Sequence, residues 1–223
     1  MVLKLYGNPH STCTRRVAVV LHEKKIPYDF FPIDFSKGEH KASSYLEKQP
    51  FGQVPYIDDD GLVVFESRAI ARYIEAKFPD KGPKLAPTTS DLAKYALYEQ
   101  ASSIEQSNFD VYASGAAAEK IFKPMKGQGG SPELADALLA TLEAKLEGYE
   151  KLLSKQKYLA GDEITLADLY HLSYGSLLPK LGFTTLETGA NGKPNVARWW
   201  KDITSRPAWQ EVKDGVPAAG LKA

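Results

Sequence analysis

Between positions 79 and 90 the chain carries Pro79, Gly82, Pro83 and Pro87, and its apolar residues change period across that stretch. Proline lacks a backbone N–H and fixes φ, so such a cluster interrupts helices and central strands alike. Such a cluster suits a linker, and the expectation is two bodies joined near residues 80–90. At 223 residues each is long enough to bury a core. The expected division is a domain over 1–79, a linker over 80–90 and a second domain over 91–223.

Before the break the period shifts repeatedly, as an α/β unit requires. Val2 to Tyr6 alternates like a strand, Val17 to Leu21 is apolar within a charged helical context, and Tyr28 to Ile33 reads as a second strand. A parallel pair joined across a helix makes a right-handed βαβ crossover. Lys41 to Lys48 predicts a short helix and Gln53 to Ile57 a strand. Asp58-Asp59-Asp60-Gly61 then turns into the strand Leu62 to Phe65. Ser67 opens a helix with Ile70, Tyr73, Ile74 and Phe78 at helical spacing, stopped by Pro79. The first half is therefore βαβαββα.

After the break strand signals vanish. Leu134, Leu138, Leu142, Leu146, Tyr149 and Leu153 form one helical stripe behind the cap Ser131-Pro132-Glu133, and Gly127–Gly130 and Thr184–Pro194 read as loops. The fold class is α/β plus all-α, the second half a helical bundle.

Composition narrows the partners. Lys plus Arg equals Asp plus Glu at 28 each, which favours neither nucleic acid nor an anionic membrane. The single cysteine, Cys13, excludes an intramolecular disulfide framework and a multi-thiolate metal site, and fits a reducing compartment. Met1 leads directly into the first strand, with no apolar leader and no stretch of transmembrane length. The expectation is a cytoplasmic protein without a metal or a resident cofactor.

The densest chemistry lies in Phe51-Gly52-Gln53-Val54-Pro55 and Phe65-Glu66-Ser67-Arg68-Ala69-Ile70. A proline before a strand leaves neighbouring backbone groups unpaired, so Val54 can pair with an extended peptide. Ser67 at a helix start offers a hydroxyl and free N–H groups to a carboxylate, and Glu66 beside it can take an amine. Each taken alone also reads as a turn proline and a helix cap. Their combination suits the amino-acid head group of a small peptide.

These segments, with Lys4-Leu5-Tyr6-Gly7, Ser11, Phe78, Leu159 to Asp168, Asn195 to Trp200, Ile203, Arg206-Pro207 and Trp209, resemble the glutathione transferase superfamily. The resemblance is closest to the plant phi class and its fungal relatives, and it covers nearly the whole chain. It implies a thioredoxin-like first domain, a homodimer, glutathione as co-substrate and a hydrophobic electrophile or aromatic ligand as second partner. It further implies that Pro55 is cis, that Val54 pairs with the cysteinyl backbone and that Gln53, Glu66 and Ser67 hold the γ-glutamyl end. His40 and Lys41 then lie near the glycine carboxylate.

Ser11 falls at the class's activating position, and a hydroxyl at a helix start joins a hydrogen bond to the positive end of the dipole, both of which favour a thiolate. Ser11 is the expected catalytic residue. Thr12 and Arg15 are auxiliary candidates, with Arg16 an alternative to Arg15, and Tyr6 reads as packing. Cys13 lies two residues past the serine position and lacks a Cys-x-x-Cys partner, so it reads as a small buried residue. Thr165-Leu166-Ala167-Asp168 is a capping box, which assigns Thr165 and Asp168 to stability. Trp199, Trp200 and Trp209 are expected in the core.

For the electrophile the expected lining is Phe35, Phe109, Tyr112, Ala116 and Phe122. The reaction is attack of the sulfur on an electrophilic carbon or reduction of a hydroperoxide. The rival readings are a carrier of aromatic ligands, a cysteine-dependent thiol transferase and a scaffold like the transferase-like domain of a translation factor.

Overall fold

The computed structural model describes residues 2–222. Strands β1 (Leu3–Gly7), β2 (Tyr28–Pro32), β3 (Tyr56–Asp59) and β4 (Leu62–Phe65) form one mixed sheet in the order β2-β1-β3-β4. β1 and β2 run parallel across the crossover helix α1 (Thr12–Glu23), while β3 and β4 are an antiparallel hairpin paired to β1. α1 buries Val17 to Leu21 completely and packs against α3 (Ser67–Lys77), whose Ile70 and Ile74 are also fully buried. The thioredoxin-like arrangement follows.

In the first half two details differ from the sequence expectation, and in the second the segment 184–194, expected to be a loop, contains the short helix Thr185–Thr188. The strand expected from Gln53 begins at Tyr56, because Pro55 cannot donate to a ladder and leaves residues 53–55 as a loop. The helix expected over residues 41–48 is a 3₁₀ turn at Glu39–Lys41 followed by the short α2 (Ser43–Leu46). Gly7 is required where α1 approaches the sheet, since a Cβ there would lie 2.6 Å from the Thr14 hydroxyl oxygen.

The second half is helical: α4 (Leu92–Glu105), α5 (Val111–Ala117), α6 (Lys123–Met125), α7 (Pro132–Leu153), α8 (Leu166–Tyr170), α9 (Leu172–Gly175), α10 (Thr185–Thr188) and α11 (Pro194–Thr204). From α4 to α6 the chain is helical throughout, with π-helical turns at Gln106–Asp110 and Ala118–Phe122. The Ser131 hydroxyl caps α7 by accepting from Leu134 N–H at 3.1 Å, with Pro132 as its first residue. The buried face of α7 is Ala135, Leu139, Leu142, Leu146, Tyr149 and Leu153, so the predicted stripe is correct only from Leu142 onward. A strict repeat of four outruns the helical period of about 3.6 residues per turn, which leaves Leu134 49% exposed.

Asp168 organises this core. Its fully buried carboxylate accepts from Leu159 N–H at 3.0 Å, Thr165 N–H at 2.9 Å, the Thr165 hydroxyl at 3.0 Å and the Trp199 indole at 2.9 Å. Burial pushes its pKa up, against the pull of those four donors. Beside it His171 contacts Ala167 C=O through Nδ1 at 2.8 Å, which makes Nδ1 the donor and leaves Nε2 to accept from the Tyr149 hydroxyl at 3.0 Å.

The described chain divides into two compact units, one ending at Leu85 and taking in the chain from Arg206 onward, the other Ala86–Ser205. The residues from Arg206, grouped with the helical half on sequence, thus pack in the first unit. Helix α12 (Pro207–Val212) lies against α1, and Arg206 pairs with both carboxylate oxygens of Glu23 at 2.5 and 2.7 Å. His22 meets Glu211 at 2.5 Å, and Val216 N–H donates to Pro9 C=O at 3.0 Å.

Replacing Asp168 with alanine strands three buried N–H donors, and the expected loss is on the order of 3 kcal/mol or more. The check is the urea midpoint of Asp168→Ala, expected to fall well below that of the wild type.

Candidate active site

Strand register collects the loops that the sequence singled out. Tyr6 on β1 is opposite Tyr56 on β3, and Tyr56 is opposite Phe65 on β4. Residues just after β1, just before β3 and just after β4 therefore meet at one end of the sheet. Those residues are Asn8 to Ser11, Val54-Pro55 and Glu66-Ser67. Gly7 opposite Pro32 brings the segment after β2 to the same end, where the Asn8 side-chain amide donates to Ile33 C=O at 3.2 Å.

Ser11 is the N-cap of α1, in extended backbone with φ −64° and ψ 132°. Its half-buried hydroxyl accepts from Thr14 N–H at a long 3.4 Å, so its own proton stays available to a ligand. Thr12, 6% exposed, is in the buried first turn, and Cys13 is a half-buried free thiol. Arg15 is held by the C-terminal segment: its guanidinium donates to Lys213 C=O at 2.5 Å and lies 5.7 Å from the Trp209 ring centre. Burial lowers its pKa and nearby Asp214 opposes that shift.

The Val54–Pro55 peptide is cis, as the resemblance implied. Gln53 is fixed on both sides, its N–H donating to Gln49 Oε1 at 3.1 Å and its carbonyl accepting from the Tyr45 hydroxyl at 2.6 Å. Lys41 donates to Phe51 C=O at 3.2 Å. Gly52 sits at φ +59°, and a Cβ there would lie 2.9 Å from His40 C=O, so no side chain fits between this loop and the 3₁₀ turn. His40 is half-buried, with the Phe35 ring edge-on at 4.7 Å.

Glu66 is exposed and adopts φ +70°, a conformation that costs a non-glycine residue energy and is concentrated at ligand sites. Ser67 follows as the first residue of α3, where main-chain N–H groups lack helical partners. Its hydroxyl oxygen accepts from buried Arg16 at 3.0 Å. Tyr6 stacks between Phe31 and Tyr56 at 4.7 and 4.5 Å, as packing requires. Burial pushes the Tyr56 pKa up to about 12, with Tyr6 and Asp58 adding to the shift.

The residues expected to line an electrophile site separate. Phe109 and Ala116 are fully buried inside the helical unit, Phe109 packed 4.5 Å from His171, and they present no surface to a ligand. Phe35 is 45% exposed, and Tyr112 and Phe122 are half-buried. The sequence reading missed Tyr45 and Gln49 and named Arg16 only as an alternative to Arg15. All three act through loop 51–55 or Ser67, and no motif marks them. Among the described residues no His, Cys, Asp or Glu cluster could hold a metal, and no helix is long and apolar enough to cross a membrane.

Tyr45→Phe removes one hydrogen bond from the Gln53 carbonyl, worth about 1 kcal/mol. Amide exchange should accelerate at Gly52, Gln53 and Val54 while the α1 amides stay protected, as hydrogen-exchange mass spectrometry would register.

The family described as "Glutathione S-transferase, N-terminal domain" matches residues 1–76, and "Glutathione S-transferase, C-terminal domain" matches 115–207. The chain is 47% identical over 202 residues to glutathione S-transferase PM239X14 of Arabidopsis thaliana, covering 90% of each. It is 43% identical over 214 residues to glutathione S-transferase hmp2 of Hypomyces subiculosus, covering 94% of this chain and 96% of that one. The crystal structure of glutathione transferase F7 from Populus trichocarpa superposes over 100% of both chains with a TM-score of 0.89 at 38% identity.

Proposed function

We propose that this chain, which belongs to the glutathione S-transferase family, ionises the thiol of glutathione with the hydroxyl of Ser11 and transfers the sulfur to hydrophobic electrophiles. The observation that carries this reading is the capping geometry of Ser11. Its oxygen accepts from Thr14 N–H, which leaves the hydroxyl proton free to donate to a sulfur at the positive end of α1. Lowering a thiol pKa from about 8.5 by two units takes about 2.7 kcal/mol. A hydrogen bond to a charged group contributes about 1.5–3 kcal/mol, and a helix terminus about 0.3–1 kcal/mol more. The two together are sufficient.

Glutathione then lies along the loop ends described above. Val54 pairs its free backbone with the cysteinyl residue, and Gln53, Glu66 and Ser67 take the γ-glutamyl end. His40 and Lys41 are the hydrogen-bond donors for the glycine carboxylate. Of the aromatic residues expected to meet an electrophile, Phe35 is exposed in the first unit, and Tyr112 and Phe122 are half-buried in the second. The working form on this reading is a cytoplasmic homodimer.

Steady-state kinetics with an activated aryl halide test the assignment. For Ser11→Ala we expect kcat to fall about a hundredfold, with the KM for glutathione within about threefold, the pattern of a group that acts mainly in the transition state. Cys13→Ser should keep wild-type kcat. Loss of activity in Cys13→Ser with Ser11→Ala active would instead establish a cysteine-dependent thiol transferase. Tight binding of aromatic ligands with no turnover in the wild type would establish a carrier.

A further inference from the structure

Arg16 is among the largest fully buried side chains of the molecule, and its Nη1 donates to Ser67 Oγ at 3.0 Å and to Cys13 Sγ at 3.6 Å. It therefore joins the first turn of α1, which Ser11 caps, to the first residue of α3. A guanidinium has only donors. Whatever occupies the site, the Ser67 oxygen must serve as acceptor toward Arg16, and its own hydrogen must point elsewhere. The first-turn N–H groups of α3 are donors as well. Arg16 thus biases the polarity of this corner, where the helix-start N–H groups donate and the Ser67 hydrogen is turned away from Arg16.

We propose that Arg16 is a positioning residue that fills one lone pair of the Ser67 oxygen, turns the hydroxyl hydrogen away from α1 toward the ligand, and thereby favours peptides with a free α-carboxylate at the γ-glutamyl end. The inference rests on the reading that the γ-glutamyl end of glutathione binds at Glu66 and Ser67. A side chain that could accept as well as donate would let the Ser67 hydroxyl reverse and face the ligand with lone pairs. Selectivity for the carboxylate would then be lost while the rest of the peptide still bound. Lysine, also a pure donor, should retain part of the selectivity.

The test compares the Kd of glutathione with that of 4-aminobutyryl-cysteinylglycine, which lacks only the α-carboxylate, by calorimetry on the full-length wild type, Arg16→Lys and Arg16→Gln. The wild type should prefer glutathione by about tenfold or more, the span expected of a hydrogen bond to a charged group. Arg16→Lys should show a reduced preference, and Arg16→Gln a ratio near one. In a Ser67→Ala background Arg16→Lys should leave the ratio unchanged. That arm decides the matter even where Arg16→Gln does not fold. A purely structural Arg16 would weaken both peptides in parallel at constant ratio, and that result overturns the proposal. A Lys effect that persists without the Ser67 hydroxyl also overturns it. A wild-type ratio near one overturns the underlying placement of the γ-glutamyl end, an outcome distinct from a high wild-type ratio that the Arg16 variants leave intact.

Discussion

The antiparallel pairing of Tyr6 with Tyr56, continued by Tyr56 with Phe65, governs the first unit. A slip of one residue would turn Leu5 and Ile57 out of the core and carry Pro55, Glu66 and Ser67 away from the end of β1. With the register held, three loops distant in sequence end together. Each brings a different capability: a hydroxyl at a helix start, the main chain of Val54 beside Pro55, and a donor-rich corner at a second helix start. Glu66, just after β4, takes a positive φ there. The core side chains around them, from Val17 to Leu21 and at Ile70 and Ile74, carry no chemistry and hold the frame rigid.

The second unit solves a different problem. It buries a carboxylate at Asp168 and an imidazole at His171, and it meets the cost of desolvation by satisfying each with donors and acceptors from neighbouring elements. Asp168 ties the loop at Leu159, the start of α8 and the indole of Trp199 into one network. A motif that reads as a local cap in the sequence thus fixes three segments.

What was legible in the sequence was whatever local chemistry determines. The βαβαββα order follows from period and turn residues, and Ser11, Pro55 and Ser67 announce themselves by residue type at element boundaries. Features that depend on the partner surface did not show. Arg15 and Arg16 are neighbours of the same type, yet one turns to Trp209 and the other to Ser67, a difference of helical phase that only packing reveals. The return of α12 onto α1 rests on the pair of Arg206 with Glu23, far apart in the chain. Phe109 looked like a ligand-facing aromatic, but the core formed by Tyr149, His171 and Trp199 encloses it. Tyr45 acts through a single hydrogen bond to a loop carbonyl, which no spacing rule encodes.

Thiol ionisation by Ser11 is the central claim, and the ultraviolet absorbance of the bound thiolate, followed against pH in the wild type and in Ser11→Ala, tests it most directly. The wild-type thiolate should titrate about two units below the free-thiol value of about 8.5 and return toward that value when the hydroxyl is removed. The same depressed titration in both proteins, or no thiolate in either, would contradict it.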